Sequence, residues 1–153
     1  MNKLVILDSV FDDDTIARLA GFDYGLATPE RWYEYGVSLL HEKIVDIARE
    51  YFDLSTASGY EMWRNDAALD WHRDKDEIRW SQGIQYFPLC SIVYYAKVDN
   101  LSGGEFMTND IRYIPIPNRL VMFSPGIFHR VDPFGGTRLA ISINPWAERP
   151  LVP

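Results

Sequence analysis

From Gly59 onward the chain is built of short runs of β-branched and aromatic residues, separated by Gly, Pro, Asn and Asp. Runs of this kind are typical of strands, and the residues between them are typical of turns. Because the runs recur about every ten residues with no helical pattern between them, they favour an antiparallel sandwich or barrel over alternating βαβ units. The pattern predicts strands over residues 60–64, 69–74, 83–87, 91–98, 105–107, 112–116, 119–123, 128–131 and 138–144.

The first third of the chain has a different pattern, which predicts one short strand and two helices. Residues 3–8 form an apolar run of strand length. Three consecutive aspartates at 12–14 suit the start of a helix that runs through about Leu19 and ends near Gly21. Over residues 37–52 the apolar positions are 37, 40, 44, 47, 48 and 51, which form one face of a longer helix.

The two patterns together predict an α+β fold that is mainly β. We expect a single domain over residues 1–153, in which the helices of residues 1–57 pack on one sheet of a β core formed by residues 58–147. The long run of strand signals is interrupted by no repeat or low-complexity segment that would indicate a second domain.

The composition narrows the expected location and partners. A formal net charge of -7 disfavours nucleic acid and anionic membrane surfaces as partners. Cys90 is the only cysteine, so the chain has no internal disulfide, and the apolar run after Met1 is too short for the core of a signal peptide. These features predict a cytoplasmic protein whose partner is a peptide or a small molecule.

Three histidines are the first candidates for chemistry. His41 lies within the predicted long helix, and the zinc-protease pattern fails because Val45 stands where the second histidine would be. His41 is therefore interpreted as a structural residue. His72 and Asp74 lie two apart on a predicted strand, so their side chains point to the same face. Such a pair alone is weak evidence for a metal site, because His-x-acid triplets also arise by chance.

His129 adds a third candidate ligand, because it follows the turn-prone residues 124–126 at the start of another predicted strand. Two histidines and one carboxylate on one face of an octahedral ion leave three positions open, which suits ferrous iron that also holds a chelating cosubstrate and dioxygen. Nine residues further on, Arg138 shares one strand face with Ser142, whereas Leu139, Ile141 and Ile143 point to the other face and are interpreted as core. A guanidinium in a cavity can bind a carboxylate through two hydrogen bonds.

In its order of motifs the sequence resembles the iron(II)/2-oxoglutarate-dependent dioxygenases of the prolyl-4-hydroxylase-like branch. The resemblance covers about residues 58–147 and consists of the His72-x-Asp74 pair, the distal His129, the basic Arg138 and a Gly-Gly-Glu turn at 103–105. It implies a double-stranded β-helix, or jelly roll. It also implies Fe(II) held by His72, Asp74 and His129, and 2-oxoglutarate held by Arg138, with ascorbate as a further candidate cofactor. The implied activity is hydroxylation of an aliphatic C–H bond, coupled to conversion of 2-oxoglutarate to succinate and carbon dioxide.

The sequence departs from that branch where a tyrosine often contributes a hydroxyl to 2-oxoglutarate, because the matching position holds Trp63. The candidates to replace it are Tyr60, Tyr86, Tyr94 and Tyr95, of which Tyr60 and Tyr95 are preferred, although core packing is the more common role of aromatic residues on strands. Ser142 could replace a serine that some relatives carry where this chain has Ala140. The polar segment 75–85 suits either an active-site lid or a surface connection.

Two other functions remain open from the sequence. The first is a cupin-like metal enzyme that uses the same ligands without 2-oxoglutarate, and the second is a non-catalytic β-sandwich binding module in which the histidines are incidental. Arg138 discriminates against the first, because a buried guanidinium predicts dependence on a dicarboxylate. Loss of metal binding on replacement of Asp74 would discriminate against the second.

Overall fold

A computed structural model describes residues 2–25 and 31–151 and contains ten strands and three helices within them. The strands are β1 (Leu4–Leu7), β2 (Trp32–Glu34), β3 (Gly59–Asn65), β4 (Leu69–His72), β5 (Ser91–Gly103), β6 (Phe106–Thr108), β7 (Arg112–Tyr113), β8 (Arg119–Phe123), β9 (His129–Val131) and β10 (Phe134–Trp146). The helices are α1 (Asp13–Gly21), α2 (Leu39–Arg49) and α3 (Glu77–Ser81). None of these helices is long and apolar enough to cross a membrane.

Two antiparallel sheets form the body of the protein. The larger has the strand order β1-β8-β5-β10-β3-β2, and the smaller has the order β4-β9-β6-β7. The 13-residue strand β10 lies inside the larger sheet and pairs with both β5 and β3. The prediction of a mainly β, antiparallel fold with few helices is therefore confirmed at this level.

Helices α1 and α2 cover the outer face of the larger sheet, as the sequence predicts. The Asp12 carboxylate accepts a hydrogen bond from the backbone N–H of Thr15 at 2.8 Å, which caps α1. The buried helix residues Leu19, Ile44 and Ala48 belong to one apolar cluster that includes Ile141 of β10. Burial of this face supplies the main stabilisation of two helices that would be marginal in isolation.

A second apolar cluster lies on the opposite face of the larger sheet and reaches the smaller one. Its buried members are Tyr95, Phe106, Tyr113, Val121, Phe123, Val131 and Ala140. Alternation along β10 explains the division, because Ile141 belongs to the helix-side cluster while the preceding Ala140 belongs to this one. Two members of this second cluster, Phe106 and Phe123, pack against the ring of His129, one of the predicted metal ligands.

The structure differs from the predicted strands around residues 75–87. Residues 83–87 form no strand, and α3 stands in the segment predicted as an irregular loop. Asp76 is buried and caps α3 by accepting from the backbone N–H of Arg79 at 2.9 Å. The same carboxylate accepts from the Leu151 backbone at 2.8 Å, so the segment is tied to the C-terminal residues. The cap is local, but the bond to Leu151 joins distant parts of the chain and leaves no local sequence pattern.

His41 has the structural role expected for it. It is fully buried in α2, with Nδ1 2.7 Å from the Ser38 hydroxyl and Nε2 2.9 Å from the Tyr24 hydroxyl. Because the Tyr24 hydroxyl donates to the Leu19 carbonyl, the ring is satisfied as a neutral imidazole that donates through Nε2 and accepts through Nδ1. Burial accordingly lowers the pKa of His41 from 6.5 to about 4.

This depressed pKa predicts a loss of stability on acidification. The unfolded chain takes up the His41 proton near pH 6.5 whereas the folded protein resists it to about pH 4. The favourable contribution is therefore present above pH 6.5 and falls as the pH drops, by about 2 kcal/mol between pH 7 and pH 5. Urea unfolding of the metal-free protein at both pH values measures it. His41→Gln should show a drop that is smaller by that amount, and an equal drop in both proteins would contradict the assignment.

Candidate metal centre

The two strands that carry the predicted histidines lie side by side. His72, the last residue of β4, is directly opposite His129, the first residue of β9, and their ring centroids are 4.2 Å apart. Asp74 lies two residues beyond the end of β4, so the strand is shorter than predicted, yet its carboxylate reaches the same point. Asp74 Oδ1 is 3.7 Å from Nε2 of each histidine. One ligand atom from each of the three residues lies within 4.8 Å of the others.

Backbone carbonyls fix the orientation of both imidazole rings. His72 Nδ1 lies 2.7 Å from the Asp70 carbonyl, and His129 Nδ1 lies 2.8 Å from the Ile127 carbonyl. Because a carbonyl oxygen only accepts, each Nδ1 carries a proton, so that Nε2 is the nitrogen of each neutral ring that can bind a metal at the shared point. Metal-binding histidines are commonly oriented in this way.

The surroundings favour the neutral form of His129. The residue is 5% exposed and its ring stacks on Phe106, with an interplanar angle of 20° and a centroid distance of 5.3 Å. Burial lowers the pKa of His129, although the Asp74 carboxylate acts in the opposite direction. A neutral imidazole is the form that binds a metal, so burial prepares this ligand.

Asp74 is held by a residue that the sequence analysis did not select. The Ser91 hydroxyl donates to Asp74 Oδ2 at 2.7 Å, and Oδ1 is the oxygen that lies near the two histidines. Ser91 is the first residue of β5 and shares its alternation with Val93 and Tyr95, which line the site. That alternation was the available signal. Arg130 and Asp132, which flank His129 in the sequence, form an ion pair with each other.

These donors fit a divalent transition metal. Two imidazole nitrogens and one carboxylate oxygen converge, and all three residues line one cavity. A set of two histidines and one carboxylate is typical of non-haem Fe(II) sites that keep open positions for other ligands.

Arg138 lines the same cavity and lacks a counter-ion among the described residues. Its side chain is 3% exposed, and the contact of Nη2 with the Asn65 carbonyl is long, at 3.4 Å. Nε and Nη1 of Arg138 are buried and have no hydrogen-bond partner within residues 2–25 and 31–151. Burial lowers the pKa of Arg138, but guanidinium remains charged at neutral pH. A buried cation with two unused donors indicates a site for an anion.

The other predicted cosubstrate residues lie in different places. Tyr95 lines the cavity, and its hydroxyl is 3.4 Å from that of Tyr113. Ser142 is buried opposite Trp63 in the strand pairing and is not among the cavity-lining residues. Tyr60 requires a correction, because it lies in the helix-side cluster with its hydroxyl 3.5 Å from the Ser38 carbonyl.

Strand alternation explains the error at Tyr60. Residues 60 and 63 are an odd number of positions apart on β3, so they point to opposite faces of the sheet. Trp63 therefore lines the cavity together with Asn65, and Tyr60 packs beneath the helices. Proximity in the sequence was the wrong criterion for a strand residue.

Comparison with solved structures supports the architecture. The chain is similar to the crystal structure of a Pseudomonas putida prolyl-4-hydroxylase, with a TM-score of 0.62 and 18% sequence identity, over 98% of this chain and 87% of that chain. At this identity the similarity shows the fold alone. A scan against models of protein families and a search of curated proteins found no match. The sequence resemblance is thus supported at the level of a prolyl-4-hydroxylase-like fold.

Proposed function

We propose that this protein is an Fe(II)- and 2-oxoglutarate-dependent dioxygenase that hydroxylates an aliphatic C–H bond. The observation that carries the proposal is a single cavity lined both by the His72, Asp74 and His129 ligand set and by Arg138, whose buried donors lack a partner among the described residues. Three free coordination positions and a fixed cation match a ligand that chelates a metal at one end and carries a carboxylate at the other.

Each residue has a defined role in this proposal. His72, Asp74 and His129 hold the metal, and Arg138 binds the distal carboxylate of 2-oxoglutarate. When bound, Fe(II) with 2-oxoglutarate supplies the oxidising chemistry that activates dioxygen. The protein orients the cosubstrate and excludes water, and the apolar walls Leu69, Val93, Phe106 and Val131 serve the second purpose.

The cavity must widen to admit the cosubstrate. Its volume of about 30 Å³ has room for little more than a water molecule or two. Trp63 is one of the partly exposed residues that line this cavity, and it packs under Arg31, whose guanidinium carbon is 5.5 Å from the ring centroid. We propose that this side chain moves when 2-oxoglutarate binds. Tyr95 also lines this cavity, and its hydroxyl is the proposed additional contact of 2-oxoglutarate.

The substrate is proposed to approach along a groove beside the ligand strands. This groove has a volume of about 360 Å³ and is lined by Arg73, which lies between His72 and Asp74 in the sequence, and by Thr108, which pairs with His129. Ile127 and Phe128 form a further part of its wall. Its size suits a small molecule or one or two residues of a peptide. The jelly-roll connection of the strands, the cytoplasmic location and a role for ascorbate belong to the same proposal.

A cupin-like metal enzyme without 2-oxoglutarate is the second candidate. The same ligand set would serve it, but it gives no reason for a buried guanidinium without a counter-ion beside the metal. A non-catalytic module likewise leaves the convergence of three ligand atoms without a cause. The 2-oxoglutarate-dependent enzyme is the candidate that uses both features.

Anaerobic addition of Fe(II) and then 2-oxoglutarate to the purified protein tests the proposal. We expect a weak visible charge-transfer band from the chelate, followed by succinate release when air is admitted. Succinate or malonate in place of 2-oxoglutarate is the control, because neither is a 2-oxo acid and neither should give the band. Metal binding without a band or succinate would favour the cupin-like enzyme, and absence of metal binding would favour the non-catalytic module.

A further inference from the structure

Ser91 is not one of the predicted metal ligands, but it contacts one of them, Asp74. It is the first residue of β5, is 2% exposed, and donates its hydroxyl to Asp74 Oδ2 at 2.7 Å. The neighbouring Cys90 is buried in the helix-side cluster, so the two adjacent residues face opposite sides of the sheet. The Ser91 hydroxyl is therefore directed to the site by the strand itself.

Asp74 needs such a contact because no strand pairing fixes it. It lies beyond β4, in a stretch without regular structure that leads to α3. A carboxylate in that position can offer either one oxygen or both to a divalent ion. The two choices differ in function, because a second bound oxygen would occupy a coordination position that a chelating ligand requires.

The geometry points to Ser91 as the positioning residue that keeps Asp74 a one-oxygen ligand. Its hydroxyl engages Oδ2, and only Oδ1 remains for the point shared with the two Nε2 atoms, each 3.7 Å away. The two histidines are arranged in the same way. Each Nδ1 is bound to a backbone carbonyl, and only Nε2 remains available to a metal. This inference rests on the proposed metal site, and it adds that the three open positions are maintained by one serine.

Two isosteric variants isolate the hydroxyl. Ser91→Thr keeps the hydroxyl, and Ser91→Val has a methyl group in its place. The two new side chains have nearly the same shape, and both suit a strand. The metal-free proteins are loaded with Co(II), whose visible absorption reports coordination number, and are then titrated with oxalate. Oxalate needs two adjacent open positions and does not need Arg138. Cys90→Ala is the packing control, because it truncates the adjacent buried side chain on the other face.

We expect Ser91→Val to change the Co(II) spectrum and to weaken oxalate binding relative to Ser91→Thr. Its affinity for Co(II) should fall by about 10- to 100-fold, the range for loss of a hydrogen-bond partner of a metal ligand. Ser91→Thr and Cys90→Ala should resemble the wild type. Equal oxalate affinity in the Val and Thr variants, or an equal loss in Cys90→Ala, would overturn the role of Ser91. A wild-type protein that binds Co(II) and oxalate but not 2-oxoglutarate would instead refute the proposed function and leave the role of Ser91 intact.

Discussion

Replacing Arg138 by methionine is expected to stabilise the metal-free protein while abolishing its affinity for 2-oxoglutarate. The guanidinium is 3% exposed, and two of its nitrogens have no partner among the described residues. Contacts with the rings of Phe134 and Tyr95, at 5.0 and 5.8 Å, offset part of the desolvation cost. Replacement of a buried ion pair by apolar residues of similar volume is often neutral or stabilising by about 1–4 kcal/mol, and a buried cation without a partner has no ion-pair energy to lose. The opposite signs of the two effects make this prediction specific.

Urea unfolding and calorimetric titration with 2-oxoglutarate in the presence of Zn(II) measure the two effects. Arg119→Met is the matched control, because Arg119 forms an ion pair with Asp8 at 2.6 Å and is not among the residues that line the cavity. That variant should gain no stability and should bind the dicarboxylate like the wild type. A destabilised Arg138→Met protein, or one that still binds 2-oxoglutarate normally, would show that the cation has a partner other than the cosubstrate.

Replacing His129 by alanine is expected to weaken divalent-metal binding by more than about 100-fold, beyond the effect of losing a partner that only orients a ligand. The change removes one of the three atoms that lie within 4.8 Å of one another. It should also remove the stabilisation that metal gives the folded protein, which is about 2.7 kcal/mol at a free metal concentration 100 times the dissociation constant.

Titration with Co(II) and thermal unfolding with and without metal provide the measurements. His41→Gln is the control, since it removes a histidine that packs between Ser38 and Tyr24 outside the site. It should bind metal with unchanged affinity even where its own stability is lower. Equal metal binding by the wild type and His129→Ala would disprove the metal centre, provided that circular dichroism shows both proteins folded.

Much of the site could be predicted because its key residues lie on elements with simple periodicity. The histidines end and begin strands that pair directly, and Arg138 belongs to the long strand β10, whose two faces alternate regularly around Ile141. Period-two alternation places residues on one side or the other of a sheet without knowledge of its partners. For this reason the candidate metal ligands and the guanidinium could be selected before their distances were known.

The features that were missed depend on contacts between distant parts of the chain. Strand β2 is three residues long and exists by pairing with β3, and α3 is fixed by Asp76 through bonds that include one to residue 151. Alternation along β5 places Ser91 on the cavity side, but its hydrogen bond to Asp74, 17 residues earlier in the chain, has no signal in the local sequence. Tyr60 could have been placed correctly, because alternation along β3 already separated it from Trp63.

The two halves of the site stand on strands of unequal length and position. Arg138 is carried by a strand of 13 residues that has neighbours on both sides, whereas His72 ends a four-residue strand at the border of the smaller sheet, where the pairing with β9 is irregular. Backbone amides around the guanidinium should therefore exchange with solvent only through global opening, and those of β4 through cheaper local opening. If a metal ion is bound by His72, local opening of β4 would release it while β10, which carries Arg138, stays folded.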